Sequence, residues 1–128
     1  GGLADGVLLN WLTPDFVAPS LEWVRLGAQE SRRPVPRIMA YVRVALGAEA
    51  RVRLEHEAKQ YAAIPHYAAH FERMGVESVN TAVYGESPNA IRQGLSAWDG
   101  LLDEVVIRVI PARNTADDVL SLLEAAKP

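Results

Sequence analysis

The chain has 128 residues, 49% of them hydrophobic and 23% charged, a balance that predicts one packed globular domain and excludes a disordered chain. Lys and Arg number 13 against 16 Asp and Glu, giving a net charge of −3, and neither sign forms a run, so nucleic acid and anionic membranes are poor partners. With no cysteine there is no disulfide framework, thiolate zinc site or thiol nucleophile. No uncharged run is long enough to span a bilayer and no signal peptide is evident, so the cytoplasm is the expected location.

Gly1 and Gly2 read as the end of a preceding helix, and the chain then begins abruptly at Asp5-Gly6. The apolar run Gly6-Val7-Leu8-Leu9-Asn10 predicts a strand buried on both faces. Thr13 as N-cap, Pro14 in the first helical position and Asp15 in the first turn predict a helix start. Apolar spacing carries that helix to about Ser31, with a break and a second start expected near Pro19-Ser20.

Pro34 and Pro36 precede a second strand, Arg37 to Leu46, closed by Gly47. Its Ile38, Ala40, Val42, Val44 and Leu46 share one face, and Met39, Tyr41, Arg43 and Ala45 the other, which is mixed enough to line a ligand. Residues 48–62 read as a solvated helix, a second helix follows Pro65 and stops at Gly75, and a third runs from Pro88 through Trp98 behind a Ser87 cap. This helical insertion, residues 47–102, spans about 55 residues, too long for a simple loop. The third strand, Glu104 to Ile110, leads to a last helix capped by Thr115 with Asp117 and Asp118 in its first turn. The alternation is that of a parallel α/β sheet in a single domain, residues 1–128.

In such sheets ligands lie beyond the carboxyl ends of the strands, where helix N-termini present free N–H groups. Asn10, Trp11 and Thr13 occupy that position after the first strand, and would suit a phosphorylated, ring-bearing cofactor; helix capping and packing account for them equally. Arg43, with Tyr41 beside it, is a cation on an otherwise apolar strand and needs either an anionic substrate or a helix carboxylate. Arg108 and Arg113 carry the same two readings, and Arg113 with Asn114, just before the Thr115 helix start, is better placed for an anion. Tyr84 stands in a segment able to roof a pocket. His66 and His70, four apart, lack a third ligand at a convincing spacing, and His56 lies among charges, so no metal site is expected.

The runs LADGVLLNWLTPDFV, PRIMAYVRVALG and DEVVIRVIPARNTADDVLSLL resemble the C-terminal part of the luciferase-like family of flavin- and deazaflavin-dependent oxidoreductases, ADGVLLNWLTP being the sharpest motif. The resemblance implies a partial (β/α)8 barrel, its last three βα units, with the helical insertion between the second and third strands. It implies hydride transfer between F420 or FMN and a small organic substrate, in some members with monooxygenase chemistry. Asn10, Trp11 and Thr13 would then bind the cofactor and Tyr41, Arg43 and Arg113 the substrate, with no catalytic acid or base identified. A barrel needs ~250 residues, so the fragment alone would be inactive and its partners would be a missing N-terminal half and other copies in a homo-oligomer. The alternative is a non-catalytic α/β module that acts by self-association or by pairing with a separate N-terminal half.

Overall fold

A computed structural model describes residues 3–127, and Gly1-Gly2, read from sequence as a helix end, lie outside the described residues. Strand β1 (Gly6–Asn10) forms where the uncharged run predicts it, but it is not buried on both faces: none of its residues is fully buried and Leu8 is 51% exposed, because no helix packs over the side of β1 that carries Leu8. The strand stops because Trp11 adopts a left-handed backbone, φ 54°. That conformation costs an L-residue about 1–2 kcal/mol, and here it is held by burial of the indole and by His70, whose Nε2–H donates to the Trp11 carbonyl at 2.7 Å.

A 3-10 turn (Pro14–Phe16) leads into α1 (Val17–Glu30). The break expected at Pro19 does not occur. Pro19 is the third residue of α1, inside the first turn, where a backbone N–H has no intrahelical acceptor and its loss is harmless. Strand β2 (Arg37–Leu46) follows, then α2 (Ala48–Ala62) and α3 (Pro65–Met74), which ends at Gly75 with φ 66°.

The sequence reading missed a second 3-10 turn (Ser78–Thr81) and the short strand β3 (Val83–Gly85). At three residues, β3 is too brief for period-two alternation to register. α4 (Pro88–Ser96) is capped by Ser87, whose Oγ accepts from the Ala90 N–H at 3.3 Å. β4 (Glu104–Ile110) and α5 (Ala116–Ala125) complete the chain, with Thr115 Oγ1 accepting from the Asp118 N–H at 3.2 Å.

All pairings among the described residues are parallel. β1 lies along Arg37–Tyr41 of β2, β3 along Val44–Leu46, and β4 along Met39–Ala45. β4 overlaps both of the other stretches, so β1 and β3 share one edge of β2 end to end and β4 takes the other. The start of β4 is locked by a two-way clasp: the Ile38 N–H donates to Asp103 Oδ2 at 2.7 Å and the Asp103 N–H donates to the Ile38 carbonyl at 2.9 Å.

The expected barrel segment is therefore corrected. Among the described residues the architecture is an open four-stranded sheet with five α-helices, and it is not a piece of a luciferase-like (β/α)8 barrel. The βα alternation that suggested the barrel arises in any parallel sheet covered by helices; it carries no information on whether the sheet closes. The turn at Trp11 ends β1 early, and β3 fills the vacated half of the edge instead of a further strand continuing around a cylinder.

The sheet's two faces are unequal. Leu9, Ala40, Val42, Val44, Val105, Ile107 and Val109 form the core face, packed with Val17, Ile91, Trp98 and Leu122 from the loops and helices. The register puts Leu8, Asn10, Met39, Tyr41, Arg43, Val106 and Arg108 on the opposite face. α2 covers the far half of that face: Ala50 and Leu54 pack on Ala45 and Ile110, and Glu57 reaches Arg43. Leu8, Met39 and Val106 belong to neither core cluster, and Leu8 is 51% exposed. No helix among the described residues is long and apolar enough to cross a membrane.

Candidate functional site

A cation on the half-covered face organises the most polar region of the interior. Arg43, only 3% exposed, sits mid-strand on β2. Its Nε donates to Glu57 Oε1 at 2.7 Å, and one terminal nitrogen donates to Asn10 Oδ1 at 2.8 Å. The guanidinium carbon lies 3.4 Å from the Trp11 ring centroid, with the Tyr61 and Tyr41 rings at 5.2 and 5.4 Å. Those distances place a desolvated cation against π faces, an arrangement worth about 2 kcal/mol.

Glu57, on α2, is shared. Arg108, the residue paired with Arg43 in the β2–β4 register, donates to it through Nε at 3.2 Å and a terminal nitrogen at 2.6 Å. Burial pushes the Glu57 carboxyl up, but the hydrogen bonds from Arg108 and Arg43 outweigh that and hold it below the ordinary value of 4.5. The Glu57 carboxylate in turn raises Arg108 above its ordinary value. One carboxylate thus fastens two strands and a helix.

Trp11 completes the floor. It meets Tyr61 at 4.8 Å and Phe71 at 5.7 Å between ring centroids, and its buried indole Nε1–H has no acceptor among the described residues. Thr13 stands at the N-cap of the 3-10 turn without a side-chain cap bond; its carbonyl accepts from the Phe16 N–H at 3.0 Å. The structure therefore brings Asn10, Trp11, Tyr41 and Arg43 together and leaves Thr13 in the adjoining turn. Arg113 is elsewhere, exposed, and bound to Asp118 at 3.0 Å; that ion pair raises Arg113 and lowers Asp118.

Beside this cluster, between α2 and the end of β4, opens a cleft of about 590 Å³ lined by Arg53, His56, Glu57, Gln60, Arg108 and Asn114 among others. Arg53 donates to the Pro111 and Ala112 carbonyls at 2.8 and 3.4 Å and to Asn114 Oδ1 at 2.7 Å. Tyr84, expected over a pocket, is not among the residues of this cleft; it lies under Arg51, its ring centroid 4.7 Å from the guanidinium carbon, and lines a smaller hollow with Leu54 and Asn80. No group of three or more His, Asp or Glu among the described residues is arranged to hold a metal ion.

Glu57 and Arg53 escaped the sequence reading because α2 looks uniformly solvated. A signal existed: Ala50, Leu54 and Ala58 repeat every four residues, and Glu57 and Tyr61 flank that stripe, so an acid was due to face the sheet.

No protein-family model matches the chain, and no curated protein matches it. With neither a barrel nor a family match behind it, the reading of the chain as part of a luciferase-like oxidoreductase, monooxygenase chemistry included, is corrected. The polar cluster is hydrogen-bonded internally, Glu57 accepting from both Arg43 and Arg108 in the geometry of a structural lock, and the three groups together keep a net charge of +1.

Proposed function

We propose that the chain is a non-catalytic α/β module that acts by self-association, a second copy extending the sheet along β4. The observation that carries this reading is the outer edge of β4. Its seven residues have no strand partner on that side among the described residues, and they include no Pro, Lys or bulge of the kind that blunts exposed edges.

The pattern of β4 selects a second copy as the occupant. Two identical strands related by a two-fold axis must pair antiparallel. About Val106 the sequence Glu104-Val105-Val106-Ile107-Arg108 is apolar at its centre and opposite in charge at its ends. A two-fold through Val106 sets Glu104 against Arg108 of the second copy twice over, and Val105 against Ile107, which are favourable cross-strand pairs. Glu104 already holds Arg37 at 2.6 Å, but that pair is exposed on both sides and contributes little by itself.

Sedimentation equilibrium across a hundredfold concentration range tests the reading. A species of twice 14.0 kDa that dissociates on dilution is expected; a chain that stays monomeric at the highest concentration disproves it.

A further inference from the structure

The cleft between α2 and the end of β4 has an excess of positive charge that the protein does not neutralise. Two guanidiniums, Arg53 and Arg108, line it with one carboxylate, Glu57, and that carboxylate is already shared between Arg108 and the buried Arg43 behind it. Arg53 is held only by neutral oxygens, those of Pro111, Ala112 and Asn114. Of the acids on adjoining turns, Glu55 is paired with Arg51 at 2.8 Å and Asp118 with Arg113 at 3.0 Å, while Glu49, one turn before Arg53, makes no ion pair among the described residues. At the edge of the cleft Arg43, Arg53 and Arg108 thus outnumber the one carboxylate among them by two.

We infer that this cleft is a binding site for a dianionic phosphate group, free or carried on a small organic molecule. The charge matches a dianion better than a single carboxylate. Guanidiniums suit the ligand because their planar forks address two oxygens at once. Arg53 and Arg108 stand on opposing walls, and His56, Gln60 and Asn114 supply further polar groups around the rim. His56 and Gln60 come from the same face of α2 as Arg53 and are already coupled, His56 Nε2 to Gln60 Nε2 at 3.1 Å. The volume, about 590 Å³, falls within the range of small-molecule sites, roughly 300–1,000 Å³, so space remains for more than the phosphate itself. Arg108 stays anchored to Glu57 while presenting its remaining terminal nitrogen, so the site is preorganised by the same lock that joins the strands.

Calorimetric titration of the intact chain, at low salt and neutral pH, with inorganic phosphate, glycerol phosphate and acetate tests this. One saturable phosphate site per chain is expected, at least tenfold tighter than acetate and weakened by added salt. Arg53→Gln should weaken phosphate at least tenfold without altering the circular dichroism spectrum, and Asn114→Ala, which frees Arg53 without removing its charge, should weaken it less. Glycerol phosphate binding more tightly than phosphate would assign the rest of the cleft to an organic portion; equal affinities would assign the site to free phosphate. No saturable binding, equal affinity for acetate, or an unchanged affinity in Arg53→Gln would each overturn the inference. Arg53 lies on α2, away from the β4 edge, so the loss of phosphate binding in Arg53→Gln and the loss of self-association are read separately.

Discussion

The Arg43 guanidinium lies 3.4 Å from the centroid of the Trp11 ring, so the residue that ends β1 is also the surface on which the buried cation of β2 rests. Trp11 is 1% exposed and Arg43 is 3% exposed. Neither placement is favourable alone: one residue carries backbone strain and the other a buried charge. Together they hold the β1 turn against the middle of the sheet, and the sheet's limited extent follows from that turn.

Glu57 should be the most sensitive member of the cluster. Glu57→Ala strands two guanidiniums, one of them buried, and is expected to cost about 3–5 kcal/mol. Arg43→Met leaves Glu57 still bound by Arg108 and fills much of the same volume, so its cost should be smaller, about 1–2 kcal/mol. Urea unfolding of the two variants checks the order; equal losses would show that Arg43 and Arg108 are not alternatives for the one carboxylate.

Acid should loosen the fold through the same residue. The folded Glu57 titrates below its ordinary value of 4.5, so the unfolded chain binds the proton first as pH falls. The stabilisation is complete above pH 4.5 and is lost as pH drops through the lower folded value. Asp118, lowered by Arg113, acts with the same sign at the surface. Thermal midpoints measured from pH 6 downward should fall in that window, and Glu57→Gln should flatten the dependence.

Val106→Lys sets two like charges against each other at the proposed two-fold axis. Val106 lies outside both core clusters, so the monomer's fold should persist with a change of no more than about 1 kcal/mol. In sedimentation the variant should remain a monomer where the parent chain associates; an unaltered association would move the interface away from β4.

Gly85 ends β3 directly beneath α4. A Cβ added there would lie 2.7 Å from the Ala90 Cβ and 3.2 Å from the Ile91 backbone nitrogen. Gly85→Ala must therefore push α4 away from the sheet, at an expected cost of about 1–3 kcal/mol, measurable by denaturant midpoint. Gly47→Ala meets no atom within 4 Å but has φ 85°, so its penalty should come from the backbone, about 1–2 kcal/mol.

Local chemistry in the sequence was enough to place most elements. The positions of the strands at Gly6–Asn10 and Arg37 to Leu46, the caps at Ser87 and Thr115 and the Gly75 stop all correspond to what forms, because strand pattern and helix termination depend on residues a few positions apart, whereas the expected burial of Gly6–Asn10 on both faces does not. The need of Arg43 for a counter-charge was legible for the same reason, as was a helix carboxylate as one of its two possible partners. Only the tertiary structure decided that this carboxylate is Glu57, that Arg108 shares it, and that Arg53 closes a positively charged cleft beside it. It also decided that the sheet stays open, a matter of the backbone turn at Trp11 and of β3 occupying the remaining edge of β2. Neither feature leaves a periodic trace along the chain, since strand order and ion pairing join residues tens of positions apart through space.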